Sequence, residues 1–536
     1  MFTRTRIAGI AVILALFIAA PGAWAARTSV RLPLQSDVPT IDPGLAEDST
    51  SIEVIEQLFL GLTDFDDKTT EAVPELATSW TVSKDGLTYT FKLRKTEWTD
   101  GSPVTAHDVV YAVQRNVDKA TGSPYAFMLY NIKNAEKINK GEITDATQVG
   151  VKATDDYTVV FTLENPAGYF PGVSGMWTLR PLPRKAIEAH KDKWTEPGNI
   201  VSNGPYTLDT FKKGDKLVLK KNPKYFDAKN VKIQEIQYLI IPEASTGMAM
   251  YEKGDLDMMG TKSYLTVPLP DITRIKGDAT LKKEFTIEPA LCTYYYGFNT
   301  KRPPMDKPLV RKAFSAAIDR QALVDKITKG EQVPATTFTR PPIFGSVPVG
   351  GGVGIPSNAD QARKYLAEAG YPDGKGFPEV ILVHNTSEAH AQIAQAIQQM
   401  WAKTLNVKVK VENQEWKVYL KSTKEVTSGH IYRMGWCADY PDANNWLMEV
   451  FHPTKSENRV FWDNAEFGKA VEDAQKSQEP AERKKLYRRA EQILTEEQAV
   501  IAPIYFYTSP TLAKPYLKFS SAPLGGNHIR DWSLTD

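Results

Sequence analysis

Polar and apolar side chains alternate most regularly along Thr88-Tyr89-Thr90-Phe91-Lys92-Leu93. That period of two predicts a half-buried β-strand, and Asp85-Gly86 just before it is a hairpin-turn dipeptide. Tyr157 to Leu163 and Lys216 to Leu219 read as further strands. Between these segments Val109, Val110 and Val113 mark the apolar face of a helix with Thr105 as its N-cap. The second half of the chain moves to helical spacing. Pro308 to Lys326 carries Val310, Ala313, Phe314, Ala317 and Ile318 on one stripe, which predicts a single helix. Ser357 to Ala369 reads as a helix ended by Gly370, and Ser387 to Thr404 as another capped by Ser387. Val407, Val409 and Val411 then alternate with lysines as a strand. Gln478 to Glu497 is the last long helix, followed by a buried strand over Ala499 to Tyr507. Strands interleaved with helices of this length predict α/β lobes rather than a sandwich or a bundle. Gly350 to Gly354 is a flexible loop, and no internal repeat or long linker stands out.

The amino terminus has a different pattern. Arg4 and Arg6 precede an uncharged run from Ile7 to Ala20, and Ala23-Trp24-Ala25 forms an A-x-A cleavage site, the layout of a secretory signal peptide over residues 1–25. The run is shorter than the roughly 20 residues that span a bilayer, and no later segment is long and apolar enough for membrane insertion. No cysteine lies near the cleavage site, so the expectation is an exported, non-lipidated protein of the periplasm. About 510 mature residues exceed what one core serves, so two or three domains are expected.

The 65 basic side chains nearly balance the 64 acidic ones. A near-neutral chain exerts no general pull on nucleic acid or membrane. The 23 Tyr and 11 Trp suit a large, partly polar binding cavity, although an aromatic-rich core would use them equally well. Sequence signatures of enzymes are missing: there is no G-x-S-x-G elbow, no H-E-x-x-H and no P-loop. Seven histidines are scattered, with only His384 and His390 in one helical neighbourhood, which gives no metal cage. Asp64, Asp66 and Asp67 read as a solvated turn. No catalytic residue and no cofactor is expected.

Five longer runs narrow the choice: YRMGWCADYPD (Tyr432 to Asp442), LCTYYYGFNTKRPP (Leu291 to Pro304), VSNGPYTL (Val201 to Leu208), VENQEWKVYL (Val411 to Leu420) and AEAGYPDGKGFPEVILVHNTSEAH (Ala367 to His390). Together they resemble the family 5 solute-binding proteins of ABC importers, the family that includes the periplasmic oligopeptide receptors. The likeness runs from about Ser36 to Trp532. It implies a type II periplasmic-binding-protein fold with two α/β lobes joined by a hinge. One lobe would comprise residues 27–66, 189–291 and 507–536, the other 292–506, with an extra domain at 67–188.

The resemblance also implies a site. Asp439 matches the anchor for a ligand amine, and an aspartate among Trp436, Tyr440 and Trp446 is costly to bury without a cation. Arg433 and His390 match positions that meet the carboxylate of short peptides; arginine offers a planar fork of donors, and His390 falls in the first turn of its helix. Gly435, Trp436 and Cys437 would line a peptide by backbone. Tyr130, Tyr295, Asn385, Trp416 and Tyr507 match cavity-lining positions, and Cys292 and Cys437 match the family's disulfide. The family has a lysine for longer peptides where this chain has Thr328, next to Lys329. It has a tyrosine in its close members at Ala290, and its strand facing the ligand is poorly matched at Glu47 to Ser51. The implied function is a monomeric, non-enzymatic receptor that takes peptides of about two to five residues to a membrane permease. A murein peptide, a dipeptide or a metal chelate are the alternatives within the family, and a secreted hydrolase or a chaperone-like role those outside it.

Overall fold

The computed structural model describes residues 27–535. The expected signal peptide at 1–25 lies outside them. Three sheets of four or more strands organise the described residues, beside two small two-stranded ones. The first runs in the order Ser29–Leu34, Glu235–Ile240, Lys216–Lys221, Tyr206–Lys212, parallel at its first pair and antiparallel after it. The second is antiparallel, in the order Ala77–Val82, Thr88–Leu93, Thr158–Thr162, Val151–Asp155. Helix Ala106–Val117 lies on it, with Val109 and Val113 buried. Thr105 caps that helix through a reciprocal pair in which the Asp108 carboxylate accepts from the Thr105 backbone N–H at 2.8 Å.

The third sheet has seven strands and carries the chemistry. Its main path is Met258–Met259, Ile501–Ala513, Phe285–Phe298, Ile431–Cys437, Val380–Asn385 and Val409–Gln414, with Val333–Pro334 paired beside Ile501–Ala513. Val380–Asn385 and Val409–Gln414 are parallel, which requires a crossover, and helix Glu388–Leu405 supplies it. Phe285–Phe298 and Ile501–Ala513 are the longest strands and pair antiparallel, with a break in register between Pro289 and Thr293. The first runs through 291/292 and the second through 506/507, where the expected lobe boundaries fall. The chain is therefore a continuous strand at each of these expected boundaries, with no linker there.

Three local expectations change. The helix expected over Pro308 to Lys326 is two pieces, Pro308–Ala316 and Arg320–Leu323, the second continued by a wider turn over Val324–Thr328. The break comes at Asp319, whose carboxylate accepts from the Ala322 N–H at 2.9 Å and so caps a new helix. The segment from Glu47 to Ser51 is the start of helix Ser49–Leu58, capped by Asp48, and forms no strand. Of the three aspartates expected in a solvated turn, only Asp66 keeps to that reading, half-buried and accepting from the Lys68 and Thr69 N–H groups. Asp64 is buried against His528 at 3.1 Å and against Arg530, and Asp67 holds the other face of His528 at 2.9 Å. This network ties the carboxyl-terminal segment to strand Thr63–Phe65 and the turn after it.

Cys292 and Cys437 sit directly opposite each other on neighbouring strands and are disulfide-bonded, with Cα atoms 4.0 Å apart. The bridge closes a loop across 145 positions, for which chain entropy gives up to about 5 kcal/mol of stabilisation. A thiol assay on unreduced, denatured protein is expected to find no free thiol, and Cys292→Ser/Cys437→Ser is expected to unfold at lower temperature than the wild type. Two titratable thiols would refute the pairing.

Candidate ligand-binding site

Strand Ile431–Cys437 pairs with Phe285–Phe298 along its whole length, but with Val380–Asn385 only at Ile431 and Tyr432. From Arg433 onward one edge has no neighbouring strand. The 4.0 Å Cα separation at Cys292 and Cys437 marks a non-hydrogen-bonded antiparallel pair. By the alternation of such ladders, Gly435 and Arg433 are non-hydrogen-bonded pairs too, so the N–H and C=O of Arg433, Gly435 and Cys437 point to the free edge. The Arg433 carbonyl accepts from the Tyr419 hydroxyl. Gly435 and Cys437 are left to receive an added strand.

A cation stands at one end of this edge. Arg433 is buried, donates to Asn385 Oδ1 at 3.2 Å and to the Tyr507 hydroxyl, and lies 4.6 Å from the centre of the Tyr294 ring. Its Nε has no partner, and the groups that act on it electrostatically are tyrosines, with no carboxylate in ion-pair distance among the described residues. His390, in the first turn of helix Glu388–Leu405, stands edge-on to Tyr294 at 5.6 Å. Burial, together with the charge of Arg433, holds its imidazole well below the usual range, so it is neutral and its Nδ1 is unpartnered. Unpaired buried cations and orphaned ring nitrogens are expensive unless a ligand completes them.

An anion stands at the other end. Asp439 follows the strand, and its Oδ2 accepts from Asn445 at 3.0 Å and from the Tyr125 hydroxyl at 3.4 Å. Asn445 is itself oriented by Glu449, at 2.9 Å. Burial lifts the Asp439 carboxyl to about 7, against the opposing effects of the Asn445 amide and the more distant Lys262 charge. No cation reaches ion-pair distance of it among the described residues.

Beside the strand, reaching the anionic end, lies a cavity of about 140 Å³. Gly435, Trp436, Cys437 and Tyr295 on the large sheet, with Asp439 just past its strand and Trp416 at the start of helix Trp416–Ser422, form one wall, Glu47, Asp48 and Ile52 the facing wall, and Tyr125 a side. The walls are tied together: Trp416 Nε1 donates to Asp48 at 3.2 Å, and Glu47 meets Lys424 at 2.5 Å and Arg459 at 3.1 Å. The cleft is shut.

Six of the residues singled out in the sequence thus line the cavity, and Arg433, His390, Asn385 and Tyr507 cluster at the cationic end. Tyr130 stands apart, its hydroxyl donating to Asn139 at 2.7 Å. Tyr125, five positions earlier, is the tyrosine that reaches Asp439, and nothing in SPYAFMLY distinguishes the two. Thr328 is buried, its hydroxyl donating to Gln332 at 2.8 Å, while Lys329 lines a separate surface groove with Lys276. Neither brings a second cation to the cleft.

Comparison with known proteins agrees with this architecture. Residues 71–458 match the family model described as bacterial extracellular solute-binding proteins, family 5 Middle. The chain is 35% identical over 488 residues to the periplasmic oligopeptide-binding protein OppA of Salmonella typhimurium, covering 90% of this chain and 88% of that one. It is 35% identical over 491 residues to the periplasmic murein peptide-binding protein MppA of Escherichia coli, covering 90% and 89%. Among solved structures, Escherichia coli MppA aligns with a TM-score of 0.88 at 33% identity, covering 96% of this chain and 99% of that one. Haemophilus influenzae OppA in complex with RPPGFSPFR aligns at 0.87 and 32%, covering 96% and 100%. The chain therefore belongs to the family 5 bacterial extracellular solute-binding proteins, and its fold is theirs. The unliganded open form of MppA, also 33% identical and covering 95% and 98%, aligns at only 0.66, as expected if the present lobes are closed.

The raised Asp439 carboxyl has a measurable consequence. Its folded value lies above its unfolded one, so the folded state holds this proton while the unfolded chain loses it, and ligand-free protein loses stability as pH rises from about 4 to about 7. Asp439→Asn removes that loss. Thermal melts are expected to show the variant matching the wild type near pH 4 and exceeding it near pH 7; an equal difference at both values would refute a titrating Asp439.

Proposed function

We propose that this chain is the periplasmic receptor of an ABC importer and captures short peptides. The observation that carries the reading is the pair of charges without an ion-pair partner, Arg433 buried and Asp439 half-buried, at opposite ends of a strand edge with free backbone groups. A peptide with free termini is a zwitterion whose backbone bears the same donors and acceptors in every sequence. Laid antiparallel along Gly435 to Cys437, it adds a strand to the sheet, brings its α-ammonium to Asp439 and turns its carboxylate toward Arg433. Main-chain bonds supply affinity that does not depend on sequence, and Arg433 receives the carboxylate with a planar fork. The peptide-binding names of the relatives support the same assignment.

Residues 27–66, 189–291 and 507–536 would form one lobe and 292–506 the other, with 67–188 inserted. The lobes would open by bending of the two long shared strands. The receptor would work as a monomer, without a cofactor, and hand its ligand intact to a membrane permease that recognises the closed form. Export by a cleaved leader, without lipid attachment, fits the residues before 27. A murein peptide remains a second reading, favoured by the likeness to MppA.

Native mass spectrometry of purified protein is expected to show a co-purified species of peptide mass, released unchanged on denaturation. Ligand returned cleaved would indicate a hydrolase. Removing one partner of an enclosed ion pair costs about 2–5 kcal/mol, so Asp439→Ala is expected to weaken tripeptide binding by roughly thirty-fold or more in calorimetry. Unchanged affinity would sink the assignment of Asp439 to the amine.

A further inference from the structure

Asp439 is not the only acid of the cleft that lacks a cation. Asp48 lines the same cavity from the facing wall and is 4% exposed. Its Oδ1 is fully occupied, accepting from the Thr50 and Ser51 N–H groups at 3.1 Å and from Trp416 Nε1 at 3.2 Å. Its Oδ2 is buried and has no partner. Burial raises its carboxyl above the ordinary range, with the Ser51 and Trp416 hydrogen bonds opposing.

The other charges at this wall are satisfied within the protein. Arg459 donates from Nε and Nη2 to Glu457 at 2.6 and 2.9 Å, from Nη2 to Glu47 at 3.1 Å and from Nη1 to the Leu420 carbonyl at 2.9 Å. Lys424 holds Glu47 at 2.5 Å. Glu47 and Glu457 therefore have cations, and Arg459 has no donor to spare for a ligand carboxylate. Asp48 is the acid of this wall with no cation in ion-pair distance among the described residues, and Trp416, Tyr125 and Tyr295 add aromatic rings to the cavity, whose faces attract cations.

Geometry says which part of a ligand arrives there. Arg433 and Gly435 share one face of their strand, while Tyr432, Met434 and Trp436, all lining the cavity, share the other. An extended peptide added to the free edge sends every second side chain to that other face. We propose that Asp48 receives a cationic side chain of the bound peptide, so that the receptor selects peptides bearing a lysine-like or arginine-like residue in addition to a free amino terminus. This rests on the peptide reading above.

The test is calorimetry with Ala-Ala-Ala and with tripeptides carrying lysine, norleucine or glutamate at each position in turn. Norleucine keeps most of the length and apolar area of lysine and removes the charge. At one position lysine is expected to bind about tenfold or more tighter than norleucine, with glutamate weakest, and in Asp48→Asn the lysine-to-norleucine ratio at that position is expected to fall to about one. Asparagine caps a helix as well as aspartate does, so this variant keeps the start of helix Ser49–Leu58, and circular-dichroism melts check that it folds. Equal affinities for lysine and norleucine at every position, or a ratio unchanged in Asp48→Asn, overturns the inference while leaving the peptide reading intact. Failure of every tripeptide, Ala-Ala-Ala included, overturns both.

Discussion

Everything at this site depends on the pairing of Phe285–Phe298 with its two neighbours. On one side it aligns Ile431–Cys437, fixes which backbone groups of that strand face outward and is bridged to it at Cys292–Cys437. On the other it pairs with Ile501–Ala513, which brings Tyr507 to Arg433. A slip of one residue in the first pairing would turn the Arg433 side chain to the Met434 face and direct the Gly435 N–H and C=O into the sheet. The disulfide sits at the end of the strand nearest Asp439, where the chain leaves the sheet and register is least constrained by neighbours. Gly435 has its own reason: a Cβ there would stand 3.1 Å from the Tyr507 hydroxyl and 3.5 Å from Arg433, crowding the cationic end.

The electrostatics of the cleft are incomplete in a consistent way. Elsewhere in the fold many buried charges are paired, Arg180 with Glu56, Arg530 with Asp64 and Glu75, Arg483 with Asp442, and others, such as Arg320 and Glu491, are held by hydrogen bonds to backbone groups. In the cleft Arg433, Asp439 and Asp48 are not paired. Pairing them internally would have stabilised the protein and removed its affinity for charged ligands. Each is instead held by neutral donors or acceptors, Asn385 and Tyr507 for Arg433, Asn445 and Tyr125 for Asp439, the Trp416 indole for Asp48. Such partners orient a charge without neutralising it.

The sequence made the two ends of the site legible and left its walls obscure. The resemblance carried by the run YRMGWCADYPD singled out Arg433, Gly435, Cys437 and Asp439, which the structure places on one strand and its exit, a part that is local in the chain. That Arg433 lacks an acid is a three-dimensional fact, invisible in a chain with 64 acidic residues. Asp48 before Ser49-Thr50-Ser51 has the pattern of an N-cap, which it is, but its indole partner lies 368 positions away. Asp64 failed for the same reason. Three aspartates in four positions suggest a turn, and only His528 and Arg530, 464 and 466 positions downstream, make one of them a core residue. Helix boundaries were lost where a side chain competes with the backbone, as at Asp319.

Closure and binding are coupled through these same groups. Contacts of Glu47 with Lys424 and Arg459, and of Asp48 with Trp416, form only when the walls meet, and they favour the shut form with or without ligand. Shutting an empty cleft opposes them by withdrawing Arg433, Asp439 and Asp48 from water unpaired. A ligand that supplies the missing charges removes this opposing term and leaves the contacts between the walls intact. It therefore binds the shut form more tightly than the open one, and that difference alone sets how far it can shift the equilibrium. A receptor whose walls met through apolar contacts alone would close on itself. One whose closing surfaces carry uncompensated charge shuts more firmly when the right charges arrive.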